Sequence, residues 1–362
     1  MATQVLQKFS RVGLLLAAAS LLGYVRAEVP RIIVDTDMYT DIDSGAVALA
    51  HVLADAGECE LLGVVSCTGG SSPAAGVIRI INAVYGRPDL PVGAPHSIFV
   101  GPENDRHMKG RGVEKYCRHI KQYVNVVKER SDLAKYVRSD EAPDVVEVYR
   151  RILAAQPDDS VTVCTIGLFT GIRLLLESKP DSISPLNGRE LVARKVKRLF
   201  AMACTYPKGI EYNAIEDAIS TAITLHSWPK QIVFLDFNYG YGIRCGVPMA
   251  QMPKDTYNPV RDIYAEAILS GKPIFKDKFK VGHPAWDELT VLMAVRGWEK
   301  YCSVVRGRFE IIANNGENRW TDDPNGPHLV VQEKMPRTEV IKIVDELLTR
   351  YPKHGLGAKP SK

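Results

Sequence analysis

A strand pattern that runs directly into a loop of carboxylates is the feature of this sequence that most restricts its fold. The apolar run at residues 31–35 predicts a buried strand, and residues 44–56 predict a helix. Between and beside them lie four aspartates within nine residues, namely Asp35, Asp37, Asp41 and Asp43. Ligands of open α/β sheets bind beyond the carboxyl ends of the strands, so the acids lie where a site is expected.

The charge of this acid loop, residues 35–43, needs compensation. Neighbouring carboxylates repel one another unless a cation or hydrogen-bond donors offset their charge. Hard divalent cations such as Ca²⁺ and Mg²⁺ prefer oxygen ligands, so the loop predicts a site for one of them. Turns and helix N-caps also favour aspartate, which accounts for one or two of the four acids. We expect Asp35 to be structural, with its carboxylate accepting hydrogen bonds from loop amides.

The remaining chain alternates short β-branched runs with helical patterns. Further strands are predicted at residues 60–66, 91–92, 161–166, 197–202 and 231–235. Further helices are predicted at residues 73–85, 144–155, 170–178, 218–227, 286–296 and 337–351. This alternation predicts one α/β domain with a doubly wound, mostly parallel, Rossmann-like sheet and helices on both faces. Residues 97–142 are charged and irregular, which suits either a lid or a solvated insertion.

The two ends of the chain are predicted to lie outside this domain. Residues 1–27 resemble a secretion signal, with Lys8 and Arg11 before an apolar stretch and Ala27 at the expected cleavage position. An uncleaved N-terminal anchor is the alternative. We therefore expect a domain over residues 28–350, a flexible C-terminal tail over 351–362, and a location outside the cell or in the secretory lumen.

Composition excludes several classes of function. Removal of the signal lowers the formal net charge from +4 to +1, and no basic patch suggests binding to nucleic-acid polymers. After signal cleavage no membrane association is expected. The seven cysteines include no CxxC pair and no zinc-ligand spacing.

Four further motifs follow the acid loop. They are Gly86-Arg-Pro-Asp-Leu-Pro-Val-Gly93, Thr165-Ile-Gly-Leu-Phe-Thr-Gly171, Glu211-Tyr-Asn213 with Asp217, and Pro284-Ala-Trp-Asp287. In this order they resemble the motifs of the inosine/uridine-preferring nucleoside hydrolases, and the resemblance runs from about residue 31 to 350. It implies a Ca²⁺ enzyme of purine and pyrimidine salvage that hydrolyses the N-glycosidic bond of ribonucleosides to ribose and free base. It also implies a homodimer or homotetramer.

The resemblance assigns roles to individual residues. Asp37 matches the general base that activates a metal-bound water, and it is also a metal ligand. The other ligands implied are Asp43, the backbone carbonyl of Thr165, and Asp287. The residues implied to bind the substrate are Asp41, Glu211 and Asn213. For the acid that protonates the leaving base, the resemblance gives no clear match; His283 is the best placed histidine, although a structural role suits it better.

The sequence departs from the family pattern inside the site. Ser44 stands where the second of two adjacent aspartates is usual, Tyr39-Thr40 replaces a Gly-Asn pair, and Gly171 replaces an Asn. Loss of one carboxylate weakens Ca²⁺ binding, because affinity follows the charge of the ligands. A second hypothesis is therefore a catalytically impaired member of the fold that binds nucleosides or ribose. A third, a haloacid-dehalogenase-type phosphatase, is disfavoured because Tyr39 replaces the expected Thr or Val.

Overall fold

A nine-stranded sheet forms the centre of the protein. The structure is a computed structural model, and it describes residues 29–38, 42–97, 130, 132–133, 135–269, 281–313 and 315–359. The strands of the sheet are β1 (Arg31–Thr36), β2 (Glu60–Ser66), β3 (Val161–Thr165), β4 (Val196–Met202), β5 (Lys208–Gly209), β6 (Ile232–Leu235), β9 (Cys302–Ile311), β10 (Asn318–Asp322) and β11 (His328–Glu333). A separate two-stranded ribbon joins β7 (Arg244–Cys245) to β8 (His283–Pro284).

The α-helices connect these strands. They are α1 (Asp43–Asp55), α2 (Ala74–Val84), α3 (Val145–Ala155), α4 (Thr170–Glu177), α5 (Gly188–Lys195), α6 (Tyr212–Glu216), α7 (Ala218–Ser227), α8 (Phe237–Tyr241), α9 (Val247–Ala250), α10 (Pro259–Leu269), α11 (Trp286–Arg296) and α12 (Arg337–Leu348). A 3₁₀ turn, Ser139–Glu141, precedes α3. Among the described residues, no helix is long and apolar enough to cross a membrane.

The strand order is β2-β1-β3-β4-β6-β11-β9-β10-β5. The pairs from β2 to β11 are parallel, and those from β11 to β5 are antiparallel. The predicted fold class is confirmed, including a single mixed α/β domain with helices on both sides of a mostly parallel sheet. Because six neighbouring parallel strands point the same way, their carboxyl ends form one edge at which loop residues meet.

Two apolar cores lie on opposite faces of the sheet. Alternate strand residues enter different cores: Ile32 and Val34 pack with α1, α2, α10, α11 and α12, whereas Ile33 packs with α3, α4, α5 and α7. This division follows from the two-residue period of a β-strand, which directs successive side chains to opposite faces. The six parallel strands therefore carry apolar residues on both faces.

The sequence did not predict the antiparallel extension. β9 alternates buried and exposed residues, with charged Arg306, Arg308 and Glu310 among apolar ones, and this obscured the strand. The predicted strand at residues 91–92 forms only two main-chain hydrogen bonds to β2, from Val64 N to Pro91 O (3.1 Å) and from Ser66 N to Gly93 O (2.8 Å). Its chain leaves the sheet before a full strand forms.

The predicted terminal segments are only partly described. Residues 1–27 and most of the 97–142 insertion lie outside the described residues. In the predicted tail, Lys353 N donates to Asp55 Oδ2 (3.0 Å) and Gly357 N donates to Val84 O (3.0 Å). The tail to residue 359 therefore lies against the ends of α1 and α2.

Candidate active site

The carboxyl ends of β1, β2 and β3 bring the first motifs together. Asp35 lies opposite Val65 on one side and Thr165 on the other, so Asp37, Cys67 and Gly167 leave adjacent strands at the same level. Gly167 lies very close to its neighbours. A Cβ added to it would lie 2.6 Å from Asp37 N and 2.7 Å from Cys67 Sγ. Only glycine allows the β1 and β3 loops to approach this closely.

The backbone at Asp37 is held by several polar groups. Thr36 Oγ1 donates to Asp43 Oδ1 (2.7 Å), and Met38 N lies 3.3 Å from the same oxygen. Thr68 Oγ1 donates to the Asp37 carbonyl (3.1 Å). Met38 has a φ of +51°, in the left-handed region that non-glycine residues seldom adopt. Strained backbone of this kind often accompanies functional sites, and here it directly follows Asp37.

The first turn of α11 meets the first turn of α1. Asp287 and Glu288 lie in that turn and are 3% and 2% exposed, and Asp43 begins α1 with no exposed surface. A Cβ on Gly45 would lie 2.8 Å from Glu288 Oε1 and 2.2 Å from the hydroxyl of Tyr264. That hydroxyl donates to Glu288 Oε1. Helix N-termini favour negative charge, which helps both turns to carry buried carboxylates.

Buried acids near this edge have raised pKa values. Burial raises the pKa of Asp35 to about 7, although its hydrogen bond from Tyr149 acts in the opposite direction. Burial likewise raises the pKa of Glu288 to about 7. The pKa of the Cys67 thiol lies well above its usual value, chiefly because of burial and further because of the charges of Asp35, Asp37 and Asp43. These three acids thus surround one thiol.

Asp35, which the sequence predicted to be structural and bound to loop amides, has the hydroxyl of a tyrosine as a partner. Its Oδ2 accepts a hydrogen bond of 2.6 Å from the hydroxyl of Tyr149, which lies on α3. Both residues are fully buried. Tyr149 belongs to the apolar stripe of its helix, so no local pattern indicated a polar contact with an acid 114 residues away.

Glu211 and Asn213 lie at the ends of β3 and β4. Glu211 caps α6, accepting hydrogen bonds from the main-chain nitrogens of Cys204 (3.1 Å), Asn213 (2.9 Å) and Ala214 (3.0 Å). Burial raises its pKa to about 7, and these three donors oppose the rise. Asn213 Nδ2 donates to the carbonyl of Met202 (3.0 Å) and lies 3.4 Å from that of Ile166. Their binding of ribose stays a prediction.

The aromatic neighbours of Asp287 form a stack. Trp286 is buried; its Nε1 donates to the Phe237 carbonyl (2.9 Å) and its ring stacks on that of Phe237 at 5.2 Å. The Tyr241 ring lies 6.0 Å from that of Trp286 and is 37% exposed. His283 is buried beside this stack, with Nδ1 2.9 Å from the Pro284 carbonyl, which suits the expected structural role.

The predicted site residues are therefore brought to one edge of the sheet from four parts of the chain. Asp37, Asp43 and Thr165 are at the ends of β1 and β3 and the start of α1, whereas Asp287 begins α11. Asp41 lies outside the described residues. Sequence reasoning missed Glu288 and Tyr149. Glu288 directly follows the predicted ligand Asp287. Its position as an acid within an otherwise apolar helix pattern could have indicated that it belongs to the site.

The predicted metal ligands are all oxygen atoms, which suit a hard cation. Three carboxylates and a main-chain carbonyl are the oxygen ligands that Ca²⁺ and Mg²⁺ prefer. Ser44 Oγ and Thr165 Oγ1 are buried polar atoms that have no hydrogen-bond partner in the described part of the chain. Within that same part, no three His, Cys, Asp or Glu side chains are arranged to hold a metal ion. The residues are thus of the type that binds a hard divalent cation, although in the described part of the chain their side chains are not arranged as a metal site.

The sequence profile of the inosine-uridine preferring nucleoside hydrolases matches residues 32–347, and the chain belongs to that family. It is accordingly a hydrolase that acts on N-glycosyl bonds, and members of the family depend on a metal ion. No curated protein matches the chain by sequence.

Solved structures share the fold. A plant nucleoside hydrolase (PpNRh1) is 14% identical, with a TM-score of 0.63 over 89% of this chain and 99% of the other. The inosine-uridine preferring nucleoside hydrolase of Bacillus anthracis is 16% identical, with a TM-score of 0.60 over 88% and 99%. The type III effector XopQ complexed with adenosine diphosphate ribose is 15% identical, with a TM-score of 0.64 over 89% and 94%.

Proposed function

We propose that this protein hydrolyses the N-glycosidic bond of ribonucleosides, with Asp37 as the general base. The observation that carries the proposal is the burial of Asp37, Asp43 and Asp287 at one edge of the sheet in a member of this family. Departure of the base leaves an oxocarbenium-like ribosyl group, whose positive charge buried carboxylates stabilise. Asp37 accepts a proton from the attacking water, as a carboxylate can when it lies within hydrogen-bond reach.

We propose Ca²⁺ as the metal, with Mg²⁺ as the alternative that the donors also suit. Asp37, Asp43, Asp287 and the carbonyl of Thr165 would hold it. When bound, the ion would acidify the attacking water and offset the repulsion between the carboxylates. Asn213 and Glu211 would orient the ribose, and the hydrogen bonds that already fix both side chains keep them in place without substrate.

Release of ribose from a panel of purine and pyrimidine nucleosides tests the proposal. We expect the chain beginning at Glu28 to release ribose with Ca²⁺, and we expect EDTA to abolish the release. Asp37→Asn, which keeps the shape of the side chain but not its basicity, should lower kcat by at least about 100-fold. Asp89→Asn, which changes an exposed acid in another loop, is the matched control.

A different outcome would favour the second hypothesis. A folded chain that binds Ca²⁺ and a nucleoside in calorimetry, yet releases no ribose, would be a binding protein of the same fold. The feature that favours this alternative is Ser44, which removes a carboxylate from the start of α1. Ser44→Asp would then be the variant in which to look for restored turnover.

We also propose that the protein is secreted after cleavage before Glu28, and that it forms a dimer or tetramer. N-terminal sequencing of protein recovered from the medium checks the first statement. Light scattering of the purified chain checks the second. An intact N-terminus in a membrane fraction, or a monomer at micromolar concentration, would contradict them respectively.

A further inference from the structure

The contact between Tyr149 and Asp35 joins α3 to the end of β1. The Tyr149 hydroxyl donates to Asp35 Oδ2 over 2.6 Å, and both side chains have no exposed surface. A hydrogen bond to a carboxyl group is stronger than one between neutral groups, and burial leaves no water to replace it. The thiol of Cys67 is the other side-chain partner of Asp35. Loss of the Tyr149 hydroxyl would therefore leave Asp35 with the weaker thiol donor alone, and no water reaches the buried carboxylate to replace the lost hydrogen bond.

The backbone of Asp35 is joined to the segments that carry the proposed base, Asp37, and the proposed ligand Thr165. Its carbonyl accepts from Ile166 N (2.8 Å), and its strand neighbour is Thr165. Two residues further along, Asp37 N lies against Gly167 with no room for even a methyl group between them. In such close packing a displacement of Asp35 is passed to both loops rather than absorbed.

Gly171 leaves open a position from which another side chain could reach the same oxygen. A Cβ at residue 171 would lie 3.2 Å from Asp35 Oδ2, 3.4 Å from Val145 Cγ2 and 3.8 Å from Tyr149 Cε2. Gly171 is the second residue of α4 and has no positive φ, so other residues can adopt its conformation. An Asn there would place its amide next to Asp35 and beside the ring of Tyr149.

We propose that Tyr149 is a positioning residue of the active site: by holding Asp35, its hydroxyl fixes the loop that carries Asp37 and the end of β3 that carries the Thr165 carbonyl. Because Gly171 provides no side chain, Tyr149 performs this role from α3. The consequence for catalysis rests on the proposed function, but the positioning itself does not.

Three variants separate positioning from general stability. Tyr149→Phe removes only the hydroxyl. Tyr149→Phe/Gly171→Asn supplies a new donor to the same oxygen. Tyr301→Phe is the matched control, because Tyr301 is equally buried and its hydroxyl bonds to Arg296 at the opposite edge of the sheet.

Hydrogen–deuterium exchange of the full chain, followed by mass spectrometry, is the first measurement. We expect the peptide spanning residues 31–38 to exchange about tenfold faster in Tyr149→Phe, to recover in the double variant, and to be unchanged in Tyr301→Phe. Calorimetric titration with Ca²⁺ is the second measurement. We expect Tyr149→Phe to bind Ca²⁺ with a Kd about tenfold weaker, the double variant to recover affinity, and Tyr301→Phe to bind as the wild type does.

The outcomes distinguish this inference from the proposed function. Unchanged exchange in Tyr149→Phe, or no recovery in the double variant, overturns the positioning role whether or not the protein has activity. Equal effects of Tyr149→Phe and Tyr301→Phe also overturn it, because the hydroxyl would then contribute only to stability. Faster exchange with recovery supports it even if the wild-type chain releases no ribose, and in that case it is the proposed function that fails.

Discussion

Gly167→Ala is the smallest change that should displace the proposed base. The new Cβ would lie 2.6 Å from Asp37 N, whereas ordinary contacts begin at 3.4 Å, so the two loops must separate by about 0.8 Å. The atom it meets belongs to the backbone and cannot rotate away. Overpacking of this kind costs about 1–3 kcal/mol of stability. A displacement near 1 Å at a reacting group costs up to about 100-fold in rate.

Stability and kcat should therefore respond very differently to this substitution. We expect Gly167→Ala to remain folded and to lose about 30- to 100-fold in kcat for ribose release. Gly63→Ala is the matched control, since its Cβ would lie 2.8 Å from the end of the Ile152 side chain, away from the acids. A wild-type kcat in folded Gly167→Ala, or an equal loss of kcat in Gly63→Ala, would show that the close approach of Gly167 to Asp37 does not position the base.

Three other predictions concern metal binding, pH and stability. Ser44→Asp should tighten Ca²⁺ binding about tenfold and lower the melting temperature in EDTA, since it adds a buried charge; calorimetry and thermal unfolding check both, and unchanged affinity would contradict it. Burial lowers the pKa of His328 to about 4, and its Nδ1 accepts from Phe309 N (3.0 Å), so the neutral ring is the stable form. The contribution of His328 is complete above its unfolded pKa of 6.5 and is lost as the pH falls towards 4, by about 2 kcal/mol at pH 5. Urea unfolding at pH 8 and pH 5 should show this loss in the wild type relative to His328→Gln, and a pH-independent difference would count against it. Arg150→Met should cost about 3 kcal/mol, because the carbonyls of Ser184 and Leu186 each lose a hydrogen bond of 3.0 Å from the buried Arg150 guanidinium; urea unfolding measures it, and a loss below about 1 kcal/mol would show that these hydrogen bonds are dispensable.

The parallel half of the fold could be predicted because its signals are local. Strands such as Glu60–Ser66 are continuous apolar runs, and helices such as Ala218–Ser227 follow clear start and stop residues. The antiparallel strands β9 and β10 lie on the side of the sheet where charged and apolar residues alternate. Their pairing depends on partners far along the chain, which no local pattern specifies.

The site was predictable as a set of residue types but not as a set of contacts. The resemblance of the motifs to the family assigned roles to Asp37, Asp43 and Asp287, all of which are buried. The sequence could not show that Glu211 also caps a helix, since an N-cap is defined by backbone geometry. Nor could it show that Tyr149 reaches Asp35, because a tyrosine in an apolar stripe looks like any other core residue.

The most direct test of the account is the product analysis of a single reaction. Purified chain is incubated with uridine or inosine and Ca²⁺ in a buffer free of phosphate, and free base and ribose are measured by proton NMR. We expect both products to appear in equal amounts, with a rate proportional to enzyme concentration. If folded protein leaves both nucleosides intact at millimolar Ca²⁺, or cleaves them only after phosphate is added, hydrolysis by this site is contradicted.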